Sequence, residues 1–161
     1  MENATAAIPS ITSILKKISD DKALILFNSI AVSNGDRYIP LKEMNLTTKQ
    51  YYSRISGLLD TGLIKRQKGK YSLTLLGKVV YDTQLTIGKT LTYYWKLKAI
   101  ESFEMPTEKS GLPEGELEQL IDALIDNHEI KDILIKSISV PSTENSKILK
   151  AAPLLEETQR V

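Results

Sequence analysis

The chain has no cysteine, one histidine, one tryptophan and two phenylalanines among its 161 residues. Without cysteine there is no disulfide framework, no thiolate zinc or iron–sulfur site, and no cysteine nucleophile. The lone histidine, His128, excludes a two-histidine metal site, and a single histidine within a helix is usually structural. Long hydrophobic runs are missing too. The longest unbroken aliphatic or aromatic stretch is Ala23-Leu24-Ile25-Leu26-Phe27, against the roughly 20 residues that cross a bilayer. Met1-Glu2-Asn3-Ala4-Thr5 has no basic n-region, so the expectation is a cytoplasmic protein with no secretory signal and no membrane partner. What remains, 42% hydrophobic and 25% charged residues, suits one globular domain, or one with a small appendage, and excludes disorder throughout.

The formal net charge of +1 hides a segregation. Residues 37–98 carry twelve basic and three acidic side chains, a net +9. Residues 1–36 carry three basic and four acidic ones, and residues 99–161 six and thirteen. A polyanion-binding middle followed by an acidic C-terminal portion fits this better than an evenly neutral surface. The plainer alternative is that the lysines merely solubilise.

Motifs for catalysis are weak. Gly88-Lys89-Thr90 has the tail of a phosphate-binding loop, but the full spacing needs glycine where Thr83 stands, and the residues fall within a helical pattern. The acids between Glu114 and Asp132 sit at helical spacing opposite an apolar stripe, as a solvated face does. No serine lies in a Gly-x-Ser-x-Gly turn. The expectation is a non-enzyme without cofactor or metal.

The pattern along the chain predicts a mainly α protein with one small β-hairpin. Ile11, Ile14, Leu15 and Ile18 mark a first amphipathic helix after Pro9-Ser10. Asp20-Asp21 precede a second through Leu24–Val32, apolar on most faces and so central to a core. Ser33-Asn34-Gly35-Asp36 signals a turn, followed by an extended Arg37-Tyr38-Ile39 and a short helix over Leu41–Met44 led by Pro40. Thr47 is a suitable N-cap for a helix over 48–60, and Gly62 a suitable terminator. There Tyr51, Ile55 and Leu58 repeat on the buried face, leaving Lys49, Tyr52, Ser53 and Ser56 opposite. Leu63–Gln67 and Tyr71–Thr74 read as strands joined at Lys68-Gly69-Lys70. Thr74 then caps one long helix, 75–103. Its seam of Leu76, Val80, Thr83, Ile87, Leu91 and Tyr94 alternates spacings of four and three, as paired helices do. A linker over 105–115, an acidic amphipathic segment over 116–139 interrupted near Asn127-His128, and a loosely ordered tail over 140–161 complete the reading.

Helix, short helix, capped helix and basic hairpin follow one another in the order of a winged helix-turn-helix. The stretch from Thr47 to Ile64, closing on Leu58-Leu59-Asp60-Thr61-Gly62-Leu63-Ile64, resembles the recognition helix and exit of ArsR- and MarR-like winged-helix regulators of prokaryotes. Tyr71-Ser72-Leu73-Thr74-Leu75-Leu76-Gly77 resembles their second wing strand and the start of the next helix. The resemblance covers about residues 20–103, within a domain of 10–104. It departs from the metal-sensing members, whose cysteine and histidine clusters are absent.

The resemblance implies a transcription regulator that binds specific double-stranded DNA as a homodimer. Thr48, Lys49, Tyr52, Ser53 and Ser56 would face the major groove, with Arg54 on the flank toward phosphate. Lys65, Arg66, Lys68 and Lys70 of the wing would meet the backbone or minor groove. Leu76, Val80, Ile87, Leu91 and Tyr94 would form the dimer seam. Three alternatives stay open at this point: Tyr52 packs on a neighbouring helix, the wing cations are ordinary solvated side chains, and the long helix packs within its own chain against the C-terminal helices. For function, the rivals are a winged-helix protein-interaction module, with Tyr38, Tyr51 and Tyr52 as its contact residues, and a sequence-independent chromatin-type DNA binder; the acidic C-terminal helix is a separate candidate site for a protein partner.

Overall fold

The computed structural model describes residues 8–33, 45–104 and 113–139. Among them are seven helices and one antiparallel hairpin: α1 (Ile11–Ile18), α2 (Asp21–Ser33), α3 (Thr48–Asp60), β1 (Ile64–Gln67), β2 (Lys70–Leu73), α4 (Leu75–Thr92), α5 (Tyr94–Glu104), α6 (Glu114–Leu124) and α7 (His128–Ser139). The protein is mainly α with a small β-hairpin, as the periodicity implies. The extended piece at 37–39, the short helix at 41–44, most of the 105–115 linker and the 140–161 tail lie outside the described residues. The chain divides into two compact units whose boundary falls within α4, between Asp82 and Thr83.

The first unit is built on the apolar α2. Leu26, Phe27 and Ile30 from this helix, Ile55 and Leu58 from α3, and Leu63 and Ile64 at the start of β1 form one buried cluster. Ile14 and Ile18 of α1, Tyr51 of α3, Tyr71 and Leu73 of β2, and Val80 and Tyr81 of α4 close over it. Ile14 and Ile18, four residues apart, turn one stripe of α1 onto this core, and the helix begins where the Ser10 hydroxyl accepts the Ser13 N–H at 3.1 Å.

Two glycines decide how α3, the hairpin and α4 join. Gly62 has φ +69°, and its N–H reaches the Leu59 carbonyl at 2.9 Å while the Leu63 N–H reaches the Leu58 carbonyl at 3.0 Å. That pair of bonds is a Schellman cap, and its hydrophobic contact is supplied by Leu58 and Leu63, both fully buried. Gly77 lies so close to Leu63, the residue before β1, that a Cβ there would stand 1.9 Å from the Leu63 carbonyl oxygen. Thr74 makes the same approach from the side: its hydroxyl donates to the Gly62 carbonyl at 2.5 Å and accepts the Gly77 N–H at 2.9 Å. The hairpin is thereby fastened to the ends of two helices.

The second unit contains the end of α4 with α5, α6 and α7. Ile100, Leu117, Ile121, Ile125 and Ile130 are its buried centre, with Tyr93, Leu97, Leu120, Leu124, Leu134, Ile135 and Ile138 around them. The stripe from Leu117 to Ile138 thus finds its partner in α5 of its own chain. The interruption expected near Asn127 is present: α6 ends at Leu124, and the Asn127 side chain caps α7 by accepting the Ile130 N–H at 3.1 Å.

One expectation is corrected. The single helix over 75–103 is two helices, broken at Tyr93. The Thr90 hydroxyl donates to the Thr86 carbonyl and the Thr92 hydroxyl to the Lys89 carbonyl, and the Tyr93 N–H bonds the Thr90 carbonyl three residues back. Threonine back-bonding of this kind tightens and bends a helix, and the heptad-like spacing does not register it.

Candidate nucleic-acid interface

The exposed face of α3 is held by its two caps. At the N-terminus Thr47 and Gln50 form a capping box: the Thr47 hydroxyl accepts the Gln50 N–H at 3.2 Å, and the Gln50 side chain accepts the Thr47 N–H at 3.1 Å. Ile55 and Leu58 go inward, while Thr48, Lys49, Tyr52, Ser53 and Ser56 stay exposed together, as the spacing requires. Tyr52 is 59% exposed, with its ring edge-on to Tyr51 at 5.3 Å between centroids. The alternative in which Tyr52 packs beneath a neighbouring helix is not what the structure contains.

Two of these positions are less available than the others. Arg54 is half-buried and its guanidinium is engaged within the chain. It binds the Asp20 carboxylate at 2.5 Å and donates to the Gln50 carbonyl at 3.2 Å, tying α3 to the start of α2. Burial by itself raises the Asp20 pKa, but hydrogen bonds from Arg54 and from the Lys22 and Ala23 backbone outweigh it and hold the carboxyl below its usual value. Ser56 has its hydroxyl 3.4 Å from the Asp60 carboxylate.

The hairpin carries the charge. Lys65, Arg66, Lys68 and Lys70 are all exposed, and no acid occurs between Thr61 and Tyr81. The register pairs Ile64 with Leu73, Lys65 with Ser72, Arg66 with Tyr71 and Gln67 with Lys70. The two-residue tip, Lys68-Gly69, has φ +49° and +79°, as a type I′ turn requires. Alternation puts Lys65 and Lys70 on one face and Arg66 on the other, where its guanidinium lies 5.7 Å over the Tyr71 ring. The result is one helix face of short hydroxyls, a lysine and a tyrosine, adjoining in sequence a hairpin with four cations.

The expected dimer residues are divided. Val80 packs onto the first unit's core, whereas Leu76, Ile87, Leu91 and Tyr94 are exposed. Trp95, the only tryptophan of the chain, stands four residues beyond Leu91; it is 80% exposed and lies edge-on to Tyr94 at 5.1 Å between ring centroids.

Elsewhere, His128 is exposed at the start of α7 with Nδ1 3.2 Å from Asp132. Among the described residues no group of three or more histidine, aspartate or glutamate side chains could hold a metal ion, and no helix is long and apolar enough to cross a membrane. No protein-family model, curated protein or solved structure matches the chain.

Proposed function

We propose that this protein binds double-stranded DNA in the manner of a winged helix-turn-helix, with α3 toward the major groove and the β1–β2 hairpin on the backbone, and that it acts as a transcription regulator. The observation that carries this reading is the acid-free hairpin with four exposed cations, following directly on a capped helix whose exposed face is wholly polar or aromatic. Phosphate neutralisation by such cations supplies most of the affinity, and groups on an inserted helix supply selectivity. Lys49 would reach guanine or phosphate, Tyr52 a thymine methyl, and Thr48 and Ser53 base edges or phosphates. Arg54 has a structural task instead.

Binding of fluorescent duplexes by the natural chain and four variants tests the reading. Arg66→Ala and Lys68→Ala should weaken binding to every duplex alike. Lys49→Ala and Tyr52→Ala should narrow the difference between a selected and a random sequence. Unchanged affinity in all four would refute it.

One observation favours the chromatin-type alternative. The two side chains of α3 best suited to bidentate base reading, Arg54 and Gln50, are both occupied inside the chain. A bidentate contact discriminates by about 1–3 kcal/mol, and with those two engaged only Lys49 of α3 is left to make one. Selection from a random pool separates the two: enrichment of one motif bound about 10³-fold tighter than bulk DNA supports the regulator, and even affinity across unrelated duplexes supports the sequence-independent binder.

A further inference from the structure

We propose that Lys17 of α1 is a further phosphate-binding residue, its ammonium laid across α3 in a gap that Gly57 leaves open. This contact rests on the DNA-binding reading of α3 and deepens it. Apart from proline, glycine is the least favourable residue inside a helix, yet Gly57 stands within α3 and is buried there. Its backbone is ordinary helix, since Gly62 and Gly69 are the glycines with positive φ among the described residues. Space explains it instead. A Cβ on Gly57 would lie 2.9 Å from the Lys17 Cδ, 3.3 Å from its Cε and 3.4 Å from its Nζ. The place where a side chain would begin is taken by the Lys17 stem, which covers α3 while its charged end stays exposed.

Two anchors hold Lys17 in that place. Ile14 and Ile18 pack α1 onto the core, and three residues past Lys17 the Asp20 carboxylate binds Arg54, three residues before Gly57. The Lys17 and Asp20 contacts therefore lie on one flank of α3. Gly57 also follows Ser53 by one turn, and residues four apart on a helix are neighbours, about 5–6 Å between Cβ atoms. The ammonium thus sits at the border of the exposed face. A helix with its side chains is about 10–12 Å across and the major groove about 12 Å wide, so a cation on the flank of an inserted α3 meets phosphates of the groove wall. Arg54 is committed to Asp20 on that side. Lys17 is exposed, and among the described residues no acid pairs with it. Asp60, three residues beyond Gly57, has its carboxylate turned to the Ser56 hydroxyl at 3.4 Å. Residues 1–36 carry three basic and four acidic side chains, so charge along the chain conceals this cation, and only the packing of α1 on α3 brings it to the site.

Titration of a fluorescent random-sequence duplex at about 0.1 M salt tests the contact, with the natural chain and variants compared. Lys17→Met keeps the stem and removes the charge, and should weaken binding to every duplex about 5–10-fold, the counterion-release gain of one phosphate contact at that salt. Lys17→Arg keeps a charge that binds phosphate and should stay within about twofold of the natural chain. Lys16→Met, one position away on α1, should do the same. Gly57→Ala lifts the stem and should weaken binding without lowering stability in urea. Added to Lys17→Met it should cost nothing further, because both changes act through one ammonium. Reductive methylation of the full chain, read by mass spectrometry, should find Lys17 protected by the duplex and Lys16 not. Binding by Lys17→Met within about twofold of the natural chain, or equal methylation of Lys17 with and without duplex, overturns the proposal while leaving DNA binding by the hairpin intact. A loss that Lys17→Arg fails to restore also overturns it, and assigns Lys17 to the packing of α1. A natural chain that binds no duplex overturns the DNA reading and this contact together.

Discussion

Replacing Gly77 with alanine adds one methyl group at the point where α4 meets β1. The new Cβ would stand 1.9 Å from the Leu63 carbonyl oxygen and 2.9 Å from its carbon, backbone atoms that no rotamer change can move aside. To restore van der Waals contact, α4 must retreat by more than an ångström. That movement pulls on the Thr74 hydroxyl bonds to Gly62, Leu63 and Gly77, and on Val80 and Tyr81 against the core. Overpacking costs about 1–3 kcal/mol, and straining the hydroxyl's one donation, shared between Gly62 and Leu63, and its one acceptance from Gly77 adds about 1 kcal/mol each. Against this stands a gain of about 1 kcal/mol from alanine's helix propensity, so the net loss is about 2–4 kcal/mol. Gly88 in the same helix has nothing within 4 Å of its Cβ position, and Gly88→Ala should stabilise by about 0.5–1 kcal/mol. Urea unfolding followed by far-UV dichroism measures both. Unfolding of Gly77→Ala within about 0.5 kcal/mol of the natural chain, the ordinary scatter of surface changes, or like behaviour of the two alanines, would refute the close approach of α4 to Leu63.

Other substitutions test the remaining joints. Gly62→Ala keeps a residue at φ +69° in open space, so only backbone strain opposes it, at about 1 kcal/mol, and Gly62→Asn should cost less in the same urea experiment. Thr47→Ala removes the α3 capping box and should destabilise by about 1 kcal/mol. Acid sensitivity has a defined sign at Asp20. Its folded-state pKa is depressed, so the ion pair's contribution is complete above the ordinary aspartate value and is lost as pH falls through the lower folded value. Asp20→Asn should therefore flatten that part of the acid limb in thermal melts, and an unaltered limb would show that Arg54 holds α3 some other way.

How much of this could be read from residues alone depended on how local the physics was. Thr47, Gly62 and Gly69 act through their own backbone, and their roles in cap, terminator and tight turn match the structure. The inward set Ile55 and Leu58 and the outward set Lys49, Tyr52 and Ser53 follow from a 3.6-residue period. The pairing of Arg54 with Asp20 is not legible in the sequence, because the two lie 34 residues apart, beyond any spacing rule. The seam 76–94 looked continuous because apolar spacing is blind to threonine hydroxyls that bond their own backbone. It also treated as one face residues whose packing differs, with Val80 buried in a core and Leu91 in solvent.

The account's central claim is that the hairpin and α3 neutralise phosphates of duplex DNA. Fluorescence anisotropy of a labelled random-sequence duplex, titrated at several salt concentrations, tests it most directly. With Lys49, Lys65, Arg66, Lys68 and Lys70 engaged, log Kobs should fall against log salt with a slope of about −4 to −5 per bound chain. Replacing the four hairpin cations by alanine should flatten it to about −1 on the same scale. Absence of binding at low salt, or a slope that the four substitutions leave unchanged, would contradict the account.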